Sequence, residues 1–408
     1  MPTRQTRSTN KQPGSGTKLR VGLVVPHIFM QQAILPQVIF SPGVLAIELA
    51  EGLSQWAIDV QLFSPGRVQT GLKSITADMS YFEAELAGRD YGYLDLLKKH
   101  SLTFVTLARQ VQAELIAKAF AMANKDQLDL VHIYTNEEDI ALPFAKFCRK
   151  PVIFTHHDPF NFLIGYKNNF PKHKDLNWVS ISYAQRSGMP PDTNWVGNVY
   201  HGVPKDMFRP NFDNGSNYLA YLGRIIEPKG VHLAIEAIKH NNQRSKQRYS
   251  LKIAGKHYAG YKKDVYWQQH IAPYIDGQEI EYVGFADTRA KETLLRGAAA
   301  VIMPSLFSEP FGMVAVESLA CATPVICLDS GALPEIVRDT ETGLVVRKAY
   351  QATGKLDAEE TAQRLAAAID RVKIIDRRAC YKDFQDRFTS ERMCSEYAVV
   401  YRQLVAAD

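Results

Sequence analysis

Two carboxylates, Glu309 and Glu317, stand eight positions apart in the run SLFSEPFGMVAVESLACATPVICLDSGALPEIV, Ser305 to Val337. Between them, PFGM reads as a tight loop turning into a helix. A helix that starts near Gly312 presents free backbone amides at its N-terminus, a seat for an anion. Glu317 lies five residues further on, about 7 Å along the axis at 1.5 Å per residue. That matches the distance from a diphosphate to the ribose hydroxyls of a nucleotide. One short segment can therefore hold a transferable group at Glu309, a phosphate at the amides of Phe311, Gly312 and Met313, and a ribose at Glu317.

A second constellation lies upstream in YLAYLGRIIEPKGVHLAIEAIK, Tyr218 to Lys239. Arg224 follows a strand-like run and Lys229 precedes a helix-like one. A helix N-terminus already carries partial positive charge, so cations there suit a bound anion better than they suit the helix. Two cations can also neutralise a diphosphate leaving group without a metal, and no Asp-x-Asp pair occurs in the sequence. Glu137, Glu138 and Asp139 open a helix, where acidic side chains favour the dipole. His156, His157 and Asp158 close the strand-like PVIFTHH. Adjacent strand residues point to opposite faces, so one of the two histidines faces the cleft. A His-His-Asp zinc site lacks a further spaced ligand pair.

These two segments resemble the donor-site signature and the phosphate clamp of the family 4 retaining glycosyltransferases, which have the GT-B fold. The resemblance runs from about Lys18 to the C-terminus. It implies an α/β protein with two doubly wound Rossmann-like domains facing across a cleft. It also implies transfer of a hexosyl or related group from a nucleotide-diphosphate sugar, with retention of configuration, no cofactor and no metal. Donor contacts would come from Gly43, Gly223, Arg224, Lys229, Glu309, Pro310, Phe311, Gly312, Met313, Val314 and Glu317. His157, Arg224, Lys229 and Glu309 would carry the chemistry, with His156 as the fallback for His157. The acceptor, whether glycan, lipid or small molecule, is not identified. His27, His156, Gln185 and Arg186 are candidates on its side of the cleft. The chain departs from the family at FSPGVLAIELAEGL, where consecutive glycines and a following acid are missing, so Gly43 alone supplies a close-approach amide. Phe285, at the end of EYVGF, reads as a core residue near the expected nucleobase site. A sugar-nucleotide epimerase of the same fold and a catalytically silent sugar-nucleotide-binding module are the rival readings.

A chain of 408 residues exceeds one core and suits two domains. The net charge of +5 is mild, and no nucleic-acid-binding pattern accompanies it. Five cysteines, an odd number without C-x-x-C, read as free thiols in a reducing compartment. No G-x-G-x-x-G, G-x-x-x-x-G-K-[ST] or G-x-S-x-G motif occurs. Residues 1–17 form a basic, polar tail without an apolar h-region, expected to lack fixed structure and to allow weak contact with anionic lipid headgroups. The expected location is cytoplasmic, peripheral on the membrane at most.

Strand-like and helix-like runs alternate along the chain, as parallel sheets require. The expected layout is an acceptor-side domain over 18–203, a nucleotide-sugar domain over 204–385, and a last helix over 386–408 crossing back to the first domain. Strands are expected at LRVGLVVP, DVQLFSP, LDLVHIYT, PVIFTHH and WVSISYA. Six more follow, at NYLAYLG, YSLKIAG, EIEYVGF, AAVIMPS, TPVICLD and GLVVR. Helices are expected over 44–56, 101–124 and 139–148. Asn198 to Pro210 reads as the linker, and Ser390 as the cap of the final helix.

Overall fold

A computed structural model describes residues 18–34, 38, 40–135, 138–213, 215–257 and 264–407. The basic tail and Glu137 lie outside the described residues. Two all-parallel sheets are stacked along the chain. The first contains β1 (Leu19–Val24), β2 (Ile58–Ser64), β3 (Lys73–Thr76), β4 (Leu130–Ile133), β5 (Val152–Thr155), β6 (Asn177–Ser180) and β7 (Trp195–Asn198), in the order β3-β2-β1-β4-β5-β6-β7. The second contains β8 (Tyr218–Leu222), β9 (Ser250–Ala254), β10 (Ile280–Gly284), β11 (Ala300–Met303), β12 (Val325–Leu328) and β13 (Gly343–Val346), in the order β10-β9-β8-β11-β12-β13. The central strands are near-continuous apolar runs because helices cover both faces of each sheet.

The strand order reverses between β1 and β4 and again between β8 and β11. Loops leaving the carboxyl ends of such strands splay apart and leave a crevice. Arg224 leaves β8 and Glu309 leaves β11, so topology alone brings these distant residues to one crevice.

The final helix, Ser390–Ala407, belongs to the first lobe. Its Met393, Cys394, Tyr397 and Tyr401 are fully buried in one cluster with Val21, Leu23, Leu45 and Leu49. Its hydroxyls reach the sheet. Tyr401 OH lies 2.7 Å from His132 Nδ1, and His132 Nε2 lies 2.8 Å from Thr155 Oγ1. The two passages between the lobes run side by side. Val203 N–H donates to Phe388 O at 2.9 Å, and Ser390 N–H donates to Val203 O at 3.1 Å.

Several expectations need correction. The strands β3 and β7 did not stand out, and β7 takes in Asn198, the expected start of the linker. The first helix begins at Ser41 and gives way to a 3-10 turn at Leu53–Trp56. The 139–148 helix is a short helix, Glu138–Ala141, followed by a 3-10 turn, Leu142–Phe147. Ser390 does not cap the last helix; the hydroxyl of Thr389 accepts from Arg392 N–H at 3.3 Å. All five cysteines are free thiols, four of them buried.

Candidate functional site

A cavity of about 1460 Å³ lies between the lobes. Its second-lobe wall starts at Gly223 and Arg224, just past β8. Lys229 ends a 3-10 turn, Glu227–Lys229, and Gly230 follows with φ +70°. A Cβ at Gly230 would come within 2.0 Å of Pro304 O, so only glycine lets this turn press against the loop after β11. Leu306 and Phe307 N–H groups both donate to Pro228 O, at 2.9 and 3.1 Å. The Glu309 loop is held from its other side. Ala332 N–H donates to Glu309 O at 2.8 Å, and Gly331, at φ +58°, leaves room for the Glu309 backbone.

These loops meet in an ion pair: Lys229 Nζ lies 2.6 Å from Glu309 Oε1, with the side chains 20% and 8% exposed. Lys229 also sits 5.3 Å from the centre of the Phe307 ring. The arginine side chain at 224 is exposed at the cavity wall. Pro310, Phe311, Gly312, Met313 and Val314 complete this wall. Gly312 precedes the helix Met313–Ala320 with φ 122° and no side-chain cap, so the first amides of that helix remain available to an anion.

Across the cavity stands His157. Its ring lies parallel to His201 (5.2 Å between centres, 13° between planes) and edge-on to Tyr134 at 4.6 Å. His201 in turn meets Phe311 at 4.8 Å, linking the first-lobe histidine to the second-lobe loop. Burial, and then the neighbouring His201, hold the His157 imidazole well below its ordinary value. Burial takes His201 down to about 3. Both rings are therefore neutral near pH 7, suited to hydrogen bonding rather than to donating a charge.

The cavity thus gathers His157, Gly223, Arg224, Lys229, Glu309 and the stretch from Pro310 to Val314. Other sequence candidates fall outside its lining. Gly43 lies inside the first helix, and a Cβ there would strike Met30 Sδ and Phe40 at 2.6 Å. Its neighbours Ser41 and Pro42 face the cavity instead. Glu317 is buried on the helix Met313–Ala320 and pairs with Lys291, a partner the sequence did not suggest. Burial raises its carboxyl and Lys291 opposes that shift. His156 packs among Phe160, Tyr166 and Phe170, so of these two neighbours it is His157 that lines the cavity. His27 is wedged between Phe29 and Phe40, accepting from Phe29 N–H.

Gln185 uses its amide on backbone, donating to His156 O and Asp158 O and accepting from Ile181 N–H. Arg186 donates to Ser180 Oγ and Gly197 O between the rings of Tyr183 and Trp195. Both brace the first lobe. Phe285 is 52% exposed, under Lys256 Nζ at 4.5 Å, and is not a core residue. Asp139 pairs with Arg109. No group of three or more His, Cys, Asp or Glu among the described residues is placed to hold a metal.

Three residues escaped the sequence reading. Lys256 lines the cavity after β9, and the strand-end argument used for Arg224 applies equally to it. His201 sat in a presumed linker. Glu335 joins the lobes: its carboxylate accepts from Tyr183 N–H at 2.9 Å, from Ala184 N–H, and from Tyr200 OH at 3.1 Å. Beside it, Ser182 Oγ donates to Pro310 O at 2.7 Å.

Comparison with known proteins agrees with this layout. Residues 203–373, most of the second lobe, match the family model described as glycosyl transferases group 1. An uncharacterized glycosyltransferase of Methanocaldococcus jannaschii is 29% identical over 206 residues, 50% of this chain and 53% of its own length. The O-antigen chain mannosyltransferase B of Escherichia coli is 31% identical over 31% of this chain and 32% of its own. The matches to these relatives thus span about half of their length or less. A D-inositol 3-phosphate glycosyltransferase of Frankia alni aligns more fully, at 24% identity over 83% of this chain and 84% of its own. Among solved structures, a sucrose-phosphate synthase from Thermosynechococcus elongatus superposes with a TM-score of 0.70 at 17% identity, over 96% of this chain and 100% of its own. The Anabaena protein HepE, in complex with UDP and glucose, does so with 0.66 at 14%, over 95% and 100%. The fold is GT-B.

Proposed function

We propose that the protein is a retaining glycosyltransferase that takes its sugar from a nucleotide-diphosphate donor. The observation that carries this reading is the convergence of Arg224, Lys229, Glu309 and the helix start at Gly312 on one cavity, with His157 opposite. The Anabaena structure with UDP supports a donor of that class. The diphosphate binds between Arg224, Lys229 and the amides of Gly312 and Met313. These groups stabilise charge as the glycosyl–oxygen bond breaks, which needs no metal. Glu309, now paired with Lys229, accepts from sugar hydroxyls once the cation turns to phosphate. Glu317, steadied by Lys291, accepts from the ribose. Neutral His157 bonds to the sugar, and the departing phosphate takes the acceptor's proton.

Among the described residues no helix is long and apolar enough to cross a membrane. The free, buried thiols suit a reducing, cytoplasmic setting.

Calorimetric titration with UDP, GDP, ADP and TDP, in buffer with and without EDTA, tests the donor site. Micromolar binding of one of them, unchanged by EDTA and lost in Lys229→Ala, is expected. No binding by any of the four removes the reading. NMR of the transferred anomeric proton then reads retention or inversion directly.

A further inference from the structure

Apolar side chains line both walls of the cavity, and those of the first lobe include Phe29, Phe40, Leu45, Leu97, Phe162 and Ile181. The polar residues on the first-lobe wall are Ser41, Lys98, Ser101, Asp158 and the neutral His157 and His201. A carbohydrate laid against the apolar part of this wall would bury hydroxyls without partners, and a buried polar group without a partner is costly. The segment from Phe40 to Leu45 illustrates the shortage. It reads FSPGVL, without a carboxylate, amide or guanidinium, and turns Phe40, Pro42 and Leu45 to the cavity.

The apolar surface continues to the rim. Phe162, Leu163 and Ile164 are consecutive and 52%, 47% and 80% exposed. Phe162 reaches the opposite lobe, its ring 5.7 Å from that of Phe307. Isolated exposed apolar side chains are ordinary, but a run of three at the mouth of a cavity marks a binding surface.

We propose that the acceptor is an amphiphile. Its reacting hydroxyl sits beside His157, and its apolar chain or ring lies along Phe40, Leu45 and Leu97 and leaves past Phe162 to Ile164. This rests on the glycosyltransferase reading. In the transfer, the bond from the anomeric carbon to the diphosphate oxygen breaks and a bond to the acceptor oxygen forms. The acceptor's proton departs on the diphosphate.

The test titrates the nucleotide-saturated protein with methyl, phenyl and n-octyl β-D-glucosides by calorimetry. Octyl glucoside is expected to bind at least about tenfold tighter than methyl glucoside, since burying apolar surface favours the longer chain. Leu97→Ser and Phe162→Ser are expected to remove most of that gap, and retained nucleotide binding shows that the variants are folded. The phenyl arm separates sources: binding like the octyl compound marks an aromatic aglycone, and binding like the methyl compound marks a lipid chain. Equal affinity for all three glucosides, or a gap that survives both substitutions, overturns the proposal. Either result can occur with nucleotide binding intact. Failure of the glycosyltransferase reading appears instead as loss of nucleotide binding itself.

Discussion

Lys229 and Glu309, eighty positions apart, form a 2.6 Å ion pair at the second-lobe wall of the cavity. The cation approaches from the turn after β8 and the carboxylate from the loop after β11. In the proposed reaction each partner leaves the other for a different part of the donor, Lys229 for phosphate and Glu309 for sugar hydroxyls. The pair keeps two charges matched while the site holds no donor.

Removing either phosphate-facing cation should therefore slow the chemistry. Lys229→Ala and Arg224→Ala are each expected to lower kcat about a hundredfold, the scale of losing one donor to a developing anion. Steady-state kinetics with the identified donor check this, and near-normal rates in both variants would defeat the mechanism.

The pairing also separates stability from catalysis. Lys229→Ala strands a largely buried carboxylate and should cost about 2 kcal/mol. Lys229→Ala combined with Glu309→Gln should recover much of that cost without recovering turnover. Denaturant melts and kcat of the two proteins make the comparison.

Lys291 and Glu317 form a second, similarly buried pair. Lys291→Ala should cost about 3 kcal/mol, in the range for breaking a buried pair. If Glu317 accepts from ribose hydroxyls, Glu317→Gln should weaken a ribonucleoside diphosphate more than its 2′,3′-dideoxy analogue. Equal losses for the two nucleotides would dismiss that role.

Acid should destabilise the fold through histidines that burial keeps neutral. His27 and His156 fall to about 4, and His132 and His201 to about 3. Each folded value lies below the ordinary 6.5, so the unfolded chain binds more protons as pH falls below 6.5. Stability is therefore complete above that value and declines on acidification, by up to about 2 kcal/mol per histidine at pH 5. Thermal melts should show Tm falling steeply from pH 7 to 5, with no comparable change from pH 7 to 8.

The second lobe was the more legible half. Its six strands are short, largely apolar runs, five of them closed by Gly, Pro or Asp, a pattern common to buried parallel strands. KSIT and WVGN, the edge strands β3 and β7, have four residues each, and none of the eight is buried. They therefore lack the signal that interior strands carry. Arg224, Lys229 and Glu309 were legible because strand ends at a switch point tell where a side chain goes. Gln185, Arg186 and His27 were placed at the cleft by the same rule and fail it. Their polar atoms are taken up by nearby backbone or hydroxyl groups, which spacing does not reveal. His201 and Glu335 could not be found that way, since each acquires meaning only from a partner in the opposite lobe.

The helix Ser390–Ala407 carries a consequence for biosynthesis. A ribosome releases the first lobe's sheet long before it releases Met393, Tyr397 and Tyr401, which fill that lobe's interior. The N-terminal half must therefore wait, with Val21, Leu23 and Leu49 uncovered, until this helix has emerged. Premature termination anywhere in the second half would leave an unfinished first half, prone to aggregate.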